Sequence, residues 1–287
     1  MFQKSTLFLI SVLLVTFLGI SAVFSYPGST NNAGVVTQTV GGGITEYASA
    51  SDLPYIGNTD GDLARVEGSN GLLIWSDVME SWVIPETYNE NMTVLAQFEG
   101  DEVDAIELTA NTGNWSVYDA SSRVTFNDDG FLHIDTTPNL SDANPTYVQT
   151  SSLPSFDSNS GYSLVFRGGV SAYGGTNYRI ASVVSPGDGL DSFYLNMRVS
   201  SDNLLIQNAT AEIGTKLLPQ SASEVRLIEI RRDIGANFVE VYVDGQAYAY
   251  VLTSLLPTTT FQGVSYGDFT SNAGADSKVQ KLRLATW

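Results

Sequence analysis

The chain has no cysteine among its 287 residues. That excludes a disulfide framework, a thiolate zinc site and a cysteine nucleophile. It has one histidine, His133, inside the strand-like run Gly130-Phe131-Leu132-His133-Ile134-Asp135, so a Ser-His-Asp triad has little to be built from. Basic residues are scarce: 13 Lys and Arg stand against 31 Asp and Glu, a formal net charge of −18. Phosphate contacts need a basic footprint, so nucleic acid is not an expected partner, and an anionic membrane surface would repel the chain. Helical periodicity is nearly missing after the N-terminus, no phosphate-cradling glycine loop precedes a helix, and no internal repeat stands out.

What is present is β signal. Glu224 to Leu252 reads as three strands joined by two tight turns. Val225, Leu227, Glu229 and Arg231 alternate with Arg226, Ile228, Ile230 and Arg232, which gives each face its own character. Val239, Val241 and Val243 alternate with Glu240, Tyr242 and Asp244 in the same way. Asp244-Gly245 is a two-residue hairpin signal, because a type I′ turn needs positive φ at both central positions. Further strands are expected at Gly161–Val170, Tyr178–Ser185, Phe193–Asn208 (a hairpin around Ser201-Asp202-Asn203), Phe261–Phe269 and Val279–Trp287. Gly, Ser, Thr, Asn and Asp punctuate these runs at short intervals, the pattern of an all-β sandwich.

The paired elements Val225–Arg232 and Val239–Val251, with their Val-Tyr-Val-Asp-Gly turn, resemble the concanavalin A-like or laminin-G-like jelly roll over residues 92–287. The resemblance implies a two-sheet antiparallel sandwich. That fold hosts lectins, adhesion modules, glycosidases and plain structural domains, so it does not fix a function.

The chain before the jelly roll divides into three. Residues 1–25 contain the apolar run Leu7–Phe24, preceded by the single charge Lys4. A secretory signal, with Val23-Phe24-Ser25 before a cut at Tyr26, and a retained membrane or signal-anchor helix over 7–24 both fit. Either reading puts the rest of the chain outside the cytoplasm, extracellular or on a virion surface. Residues 26–47 include the Gly/Asn/Thr-rich tract Ser29–Gly43 and are expected to be a flexible linker. Residues 48–91 hold a strand at Leu63–Val66, a turn at Gly68–Gly71, a strand at Leu72–Trp75, and then Trp82. Gly61, Asp62, Val66, Leu72, Leu73, Trp75 and Trp82 resemble a small β meander of phage tail-fibre and virion proteins, with both tryptophans closing the core.

Three sets of residues are candidates for chemistry. Glu102, Asp104 and Glu107 match the E-x-D-x-x-E signature of laminarinase-type glycoside hydrolases. The resemblance implies a nucleophile at Glu102, an assisting Asp104 and an acid/base at Glu107. Two carboxylates about 5 Å apart suit a retaining mechanism. Asp188 and Asp191, and Asp268, Asn272 and Asp276, are candidate Ca²⁺ ligands in loops, since sandwich lectins hold Ca²⁺ through Asp and Asn oxygens. Tyr173, Tyr178 and Tyr266 are candidate sugar platforms beside such loops.

The Glu102–Glu107 string lies far ahead of the Asp244-Gly245 turn, whereas the family's signature strand lies a few tens of residues before it. On that ground the expected protein is non-enzymatic. It is expected to be a surface-exposed adhesion or carbohydrate-binding structural protein, plausibly of a virion or phage, with glycans, other structural subunits and its own copies as partners. A purely structural assembly protein and a glycosidase are the alternatives.

Overall fold

A computed structural model describes residues 36–40, 43–99, 115–118, 123–126, 130–135, 146–150, 160–173, 178–182, 194–198, 203–208, 211–217, 225–252, 264–268 and 275–287. The apolar run 7–24 and the string 102–107 lie outside them. Among the described residues no helix is long and apolar enough to cross a membrane.

The fold is all-β. A first sheet of five strands contains β1 (Val36–Val40), β2 (Ile44–Tyr47), β3 (Leu63–Val66), β4 (Leu73–Ser76) and β5 (Ser81–Val83), in that order. A one-turn helix, α1 (Pro85–Tyr88), follows. The remaining strands are β6 (Thr93–Glu99), β7 (Trp115–Tyr118), β8 (Val124–Phe126), β9 (Leu132–Asp135), β10 (Thr146–Thr150), β11 (Tyr162–Tyr173) and β12 (Tyr178–Ser182). They continue with β13 (Tyr194–Arg198), β14 (Asn203–Asn208), β15 (Ala211–Leu217), β16 (Arg226–Arg232), β17 (Phe238–Val243), β18 (Gln246–Leu252), β19 (Ser265–Asp268) and β20 (Ala275–Thr286).

These build the two antiparallel sheets of the sandwich. One, of seven strands, runs β15-β14-β13-β12-β19-β10-β7; the other, of eight, runs β18-β17-β16-β11-β20-β9-β8 with β6 also paired to β20. The closing strand expected at Val279 begins at Ala275, because its first half pairs with β9 and its second half with β6 while β11 runs along its other side. The Asp244-Gly245 hairpin forms with φ of +50° and +80°, the geometry that its sequence demands.

Alternation along the central strands feeds two separate cores. Leu164, Phe166, Ile228, Ile230, Leu282 and Leu284 face the seven-stranded sheet and pack with Trp115 and Tyr266. Their chain neighbours Val165, Leu227 and Ala285 pack on the other side, against Tyr47, Trp75 and Trp82 of the five-stranded sheet and Leu53 and Met79 of its connecting segments. The small β unit is therefore a third layer stacked on the eight-stranded sheet. This is why Arg226 through Arg231 are all buried, polar residues included. Trp75 and Trp82 are register partners in edge-to-face contact at 5.6 Å and belong to the core, as expected.

Two expectations for the N-terminal part are corrected. The flexible linker does not extend across 36–40 or 44–47: Val36-Thr37-Gln38-Thr39-Val40 pairs with β2, and Tyr47 is fully buried. Four of those five residues are β-branched, which suits a pleated surface better than a coil. The meander is also not wholly antiparallel, since β2 and β3 run parallel with Thr45 opposite Ala64.

The layer boundary carries buried charge. Glu229, on β16, accepts hydrogen bonds from the Ile84 backbone N–H at 2.9 Å, the Ser163 hydroxyl at 2.8 Å and the Thr87 hydroxyl. Burial pushes its pKa above the ordinary 4.5, and those three donors only partly offset the shift. At pH values between 4.5 and the raised folded value, the folded protein holds a proton that the unfolded chain has released. Stability from this site therefore falls as pH rises through that window. Glu240, raised for the same reason, slopes the same way. We expect urea midpoints of the wild type to fall with pH more steeply than those of Glu229→Gln; parallel curves would show that Glu229 does not titrate in the fold.

Candidate functional site

The eight-stranded sheet is covered on both faces across its central strands, so the candidate ground for a ligand is the face of the seven-stranded sheet turned away from it. Register identifies that face. Trp115 and Val117 on β7 and Tyr266 on β19 pack in the core between the sheets. Val117 lies opposite Val148, Val148 opposite Tyr266, Tyr266 opposite Ala181, Ala181 opposite Leu195, and Leu195 opposite Ile206. Directly opposed residues share a face, so this row is the inner one, and the residues alternating with it fall on the outer face.

The outer rows hold a distinct set of side-chain types. Tyr118 stands opposite Tyr147, and Tyr147 opposite Gly267, which contributes no side chain between its neighbours. Ser265 stands opposite Ser182, Ser182 opposite Tyr194, and Tyr194 opposite Gln207. Arg179 stands opposite Asn196 across a bulge, and Arg198 follows Asn196 by two positions on β13. These rows thus bring together tyrosine, asparagine, glutamine, serine and arginine, residue types whose rings suit the apolar faces of sugar units and whose polar groups suit their hydroxyls, and Leu205, opposite Asn196, shares the face.

The residues singled out from the sequence do not converge on one site. Tyr266 is fully buried, packs edge-to-face on Phe166 and donates its hydroxyl to the Lys278 carbonyl at 2.9 Å. It is a core residue, which corrects its reading as a sugar platform. Tyr178 stands opposite Met197 and thus in an inner row, while Tyr173 ends β11 opposite Ala275 in the other sheet. Asp276 lies within β20, not in a loop, and its carboxylate is 4.0 Å from the His133 imidazole. Asp268 closes β19. Asp188, Asp191 and Asn272, like Glu102, Asp104 and Glu107, lie outside the described residues. Among the described residues no group of three His, Asp or Glu is arranged to hold a metal ion.

Tyr118, Tyr147, Tyr194, Arg179 and Asn196 escaped the sequence reading. Each sits in an ordinary alternating strand, and only the pairing of β7 with β10 and of β12 with β13, which are apart in sequence or separated by loops, brings them to one face.

No protein-family model and no curated protein matches the chain. Solved structures do. An endo-1,3-β-glucanase from Streptomyces sioyaensis superposes with a TM-score of 0.50 at 12% identity, covering 69% of this chain and 97% of that one. A carbohydrate esterase from the Shiga toxin-encoding bacteriophage phi24B gives 0.47 at 16% identity, covering 68% and 99%. A carbohydrate-binding module from Bacillus subtilis gives 0.40 at 12%, covering 58% and 92%. The likeness is one of fold, and it bears out the jelly roll. It overturns the expectation of a non-enzymatic protein, because the architecture is one that a glycan-cleaving enzyme fills over nearly its whole length. Distance along the chain between Glu102 and Asp244 is no ground for excluding catalysis.

Proposed function

We propose that this protein engages a polysaccharide on the outer face of its seven-stranded sheet, and that Glu102, Asp104 and Glu107 are its candidates for glycosidic cleavage. The observation that carries the reading is the register, which puts Tyr118, Tyr147, Tyr194 and Asn196 on one face of the seven-stranded sheet. The fold shared with an endo-1,3-β-glucanase and the E-x-D-x-x-E string support it. In that chemistry Glu102 attacks the anomeric carbon while Glu107 protonates the leaving oxygen, then deprotonates the incoming water. The apolar run 7–24 supports export, which places the protein where polysaccharides are met, and an oligomer would multiply weak sugar contacts.

The test uses the full chain on a panel of polysaccharides that includes β-1,3-glucan, read by release of reducing ends and by retardation in polysaccharide-containing native gels. Cleavage is expected to drop by about 100-fold or more in both Glu102→Gln and Glu107→Gln, since a lost general acid or nucleophile removes that much. Retardation without cleavage assigns binding alone. A folded sample that neither cleaves nor is retarded by any polysaccharide overturns the reading.

A further inference from the structure

We propose that the outer face of β17 and β18 is a second carbohydrate-holding surface, with Tyr250 as the platform for the apolar face of a neutral sugar unit. It goes beyond the reading above, because this face belongs to the other sheet and points away from the seven-stranded one. Val239, Val241, Val243 and Val251 fill the core between the sheets. The residues alternating with them fall on the opposite side. There Phe238 stands opposite Leu252, Glu240 opposite Tyr250, and Tyr242 opposite Ala247.

Cover by the third layer stops short of this corner. It reaches β16, where Leu227 enters its core and Glu229 and Arg231 are buried. One strand further, Glu240 and Tyr242 are half-buried; on β18, Tyr250 is 64% and Leu252 50% exposed. Among the described residues five large apolar side chains are exposed, and three of them stand at this one end of the sheet: Tyr250, Leu252 and Ile234 of the β16–β17 turn. Tyr250 is also the one exposed ring among the described side chains.

That ring is braced. Phe238 meets it edge-to-face at 6.1 Å, so little side-chain freedom is left to lose when a ligand lands. Beside it, on the facing strand, the Glu240 carboxylate accepts from the Tyr242 hydroxyl and lies 3.8 Å from the Arg231 guanidinium. An exposed ring next to a carboxylate suits a sugar unit, which offers a C–H face to the ring and hydroxyl donors to the oxygens.

The charges select among ligands. Arg231 is engaged by Glu90, Asp233 and Glu240, and Arg232 donates to the Ala236 carbonyl. An anionic polymer would therefore meet the field of Glu86, Asp233 and Glu240, on a chain of net charge −18. The same net charge sets two copies against each other, and a handful of apolar side chains falls short of the about 20–30 residues a side of a standard protein interface. A basic peptide pairs best with an unengaged carboxylate, and Glu240 is already held by Tyr242 and Arg231. A neutral polysaccharide is the ligand that fits. Because the two glycan surfaces lie on opposite sides of the sandwich, they hold separate stretches of polymer, and the second strengthens retention on a multivalent one.

The experiment measures retardation of the full-length protein in native gels containing neutral β-1,3-glucan, neutral mannan or alginate, for wild type, Tyr250→Ala, Tyr250→Phe and Tyr147→Ala/Tyr194→Ala. Thermal midpoints are compared first. Tyr250 is exposed, so Tyr250→Ala should melt with wild type; Leu252→Ala, on the same face, carries the test if it does not. Wild type is expected to be retarded by a neutral polymer. Tyr250→Ala should need about tenfold more of that polymer for the same retardation, while Tyr250→Phe, which keeps the ring, stays near wild type. Equal retardation of wild type and Tyr250→Ala overturns the inference and leaves the seven-stranded-sheet reading to be decided by Tyr147→Ala/Tyr194→Ala. Retardation by alginate alone overturns it as well. So does a labelled oligolysine bound by wild type and lost in Tyr250→Ala with polysaccharide retardation unchanged, which assigns the face to a basic partner. Retardation by no polysaccharide removes both readings.

Discussion

Asp244→Ala is expected to lower folding stability by about 3–5 kcal/mol, the cost of breaking a buried ion pair and leaving one charge behind. The Asp244 carboxylate is buried and takes a 2.8 Å bond from the Arg226 guanidinium with one oxygen and a 2.9 Å bond from the Leu227 N–H with the other. Its own N–H donates to the Leu227 carbonyl at 2.7 Å, and its carbonyl accepts from the Ser69 hydroxyl at 2.8 Å. Alanine would leave Arg226 buried without that carboxylate. It would also have to hold φ at +50°, where an aspartate side chain is tolerated better than a methyl group. The measurement is the urea midpoint at unchanged m-value. Asp244→Ala/Arg226→Met should recover part of the loss, because the stranded cation goes too. A loss under about 1 kcal/mol for the single variant would mean that the pair is not desolvated and that the burial described here is wrong.

Gly71→Ala is the second large effect, about 3 kcal/mol. A Cβ at Gly71 would lie 2.0 Å from the Gly245 carbonyl carbon, 2.2 Å from its oxygen and 2.3 Å from the Gln246 nitrogen. All three atoms are backbone, so no side chain can swing away, and the turn after β3 must separate from the β17–β18 hairpin tip. Overpacking of this kind costs about 1–3 kcal/mol when neighbours can relax, and here they are locked into a hairpin. Separation would also strain the Ser69 bonds to the Asp244 carbonyl and to the Gly71 N–H. Gly235→Ala is the control: its φ is +68° but nothing lies within 4 Å of the added carbon, so only about 1 kcal/mol of backbone strain is expected. Thermal and urea unfolding of both variants decide the matter. Equal losses would show that the layers do not meet at Gly71.

Both predictions fall on the Asp244-Gly245 turn, which the sequence marked as a hairpin and nothing more. The two-residue turn was legible because positive φ at two successive positions is a local demand that Asp-Gly meets. Its second task was not legible. The partners Ser69 and Gly71 lie far away in the chain, and no local pattern announces that a glycine exists to admit another strand's backbone. The same holds for Glu229, whose polar character in an alternating strand suggested a face of its own, and whose donors Ile84, Thr87 and Ser163 come from two other elements.

The candidate site divides in the same way. The carboxylate string 102–107 could be read directly because its spacing is local. The tyrosine and arginine face could not, because it exists only once β7 lies beside β10 and β12 beside β13. Tyr266, taken for a platform, shows the converse: a tyrosine beside a presumed loop reads as exposed until pairing puts it in the inner row.

What the sequence determined by itself was the all-β class, the strands with strong alternation and the hairpin at Asp244-Gly245, since side-chain period and turn φ are properties of neighbouring residues. Only the tertiary structure decided what covers each face. A period of two separates the faces of β16 without saying which lies against solvent, and both are buried because the small β unit stacks on the side opposite the jelly-roll core.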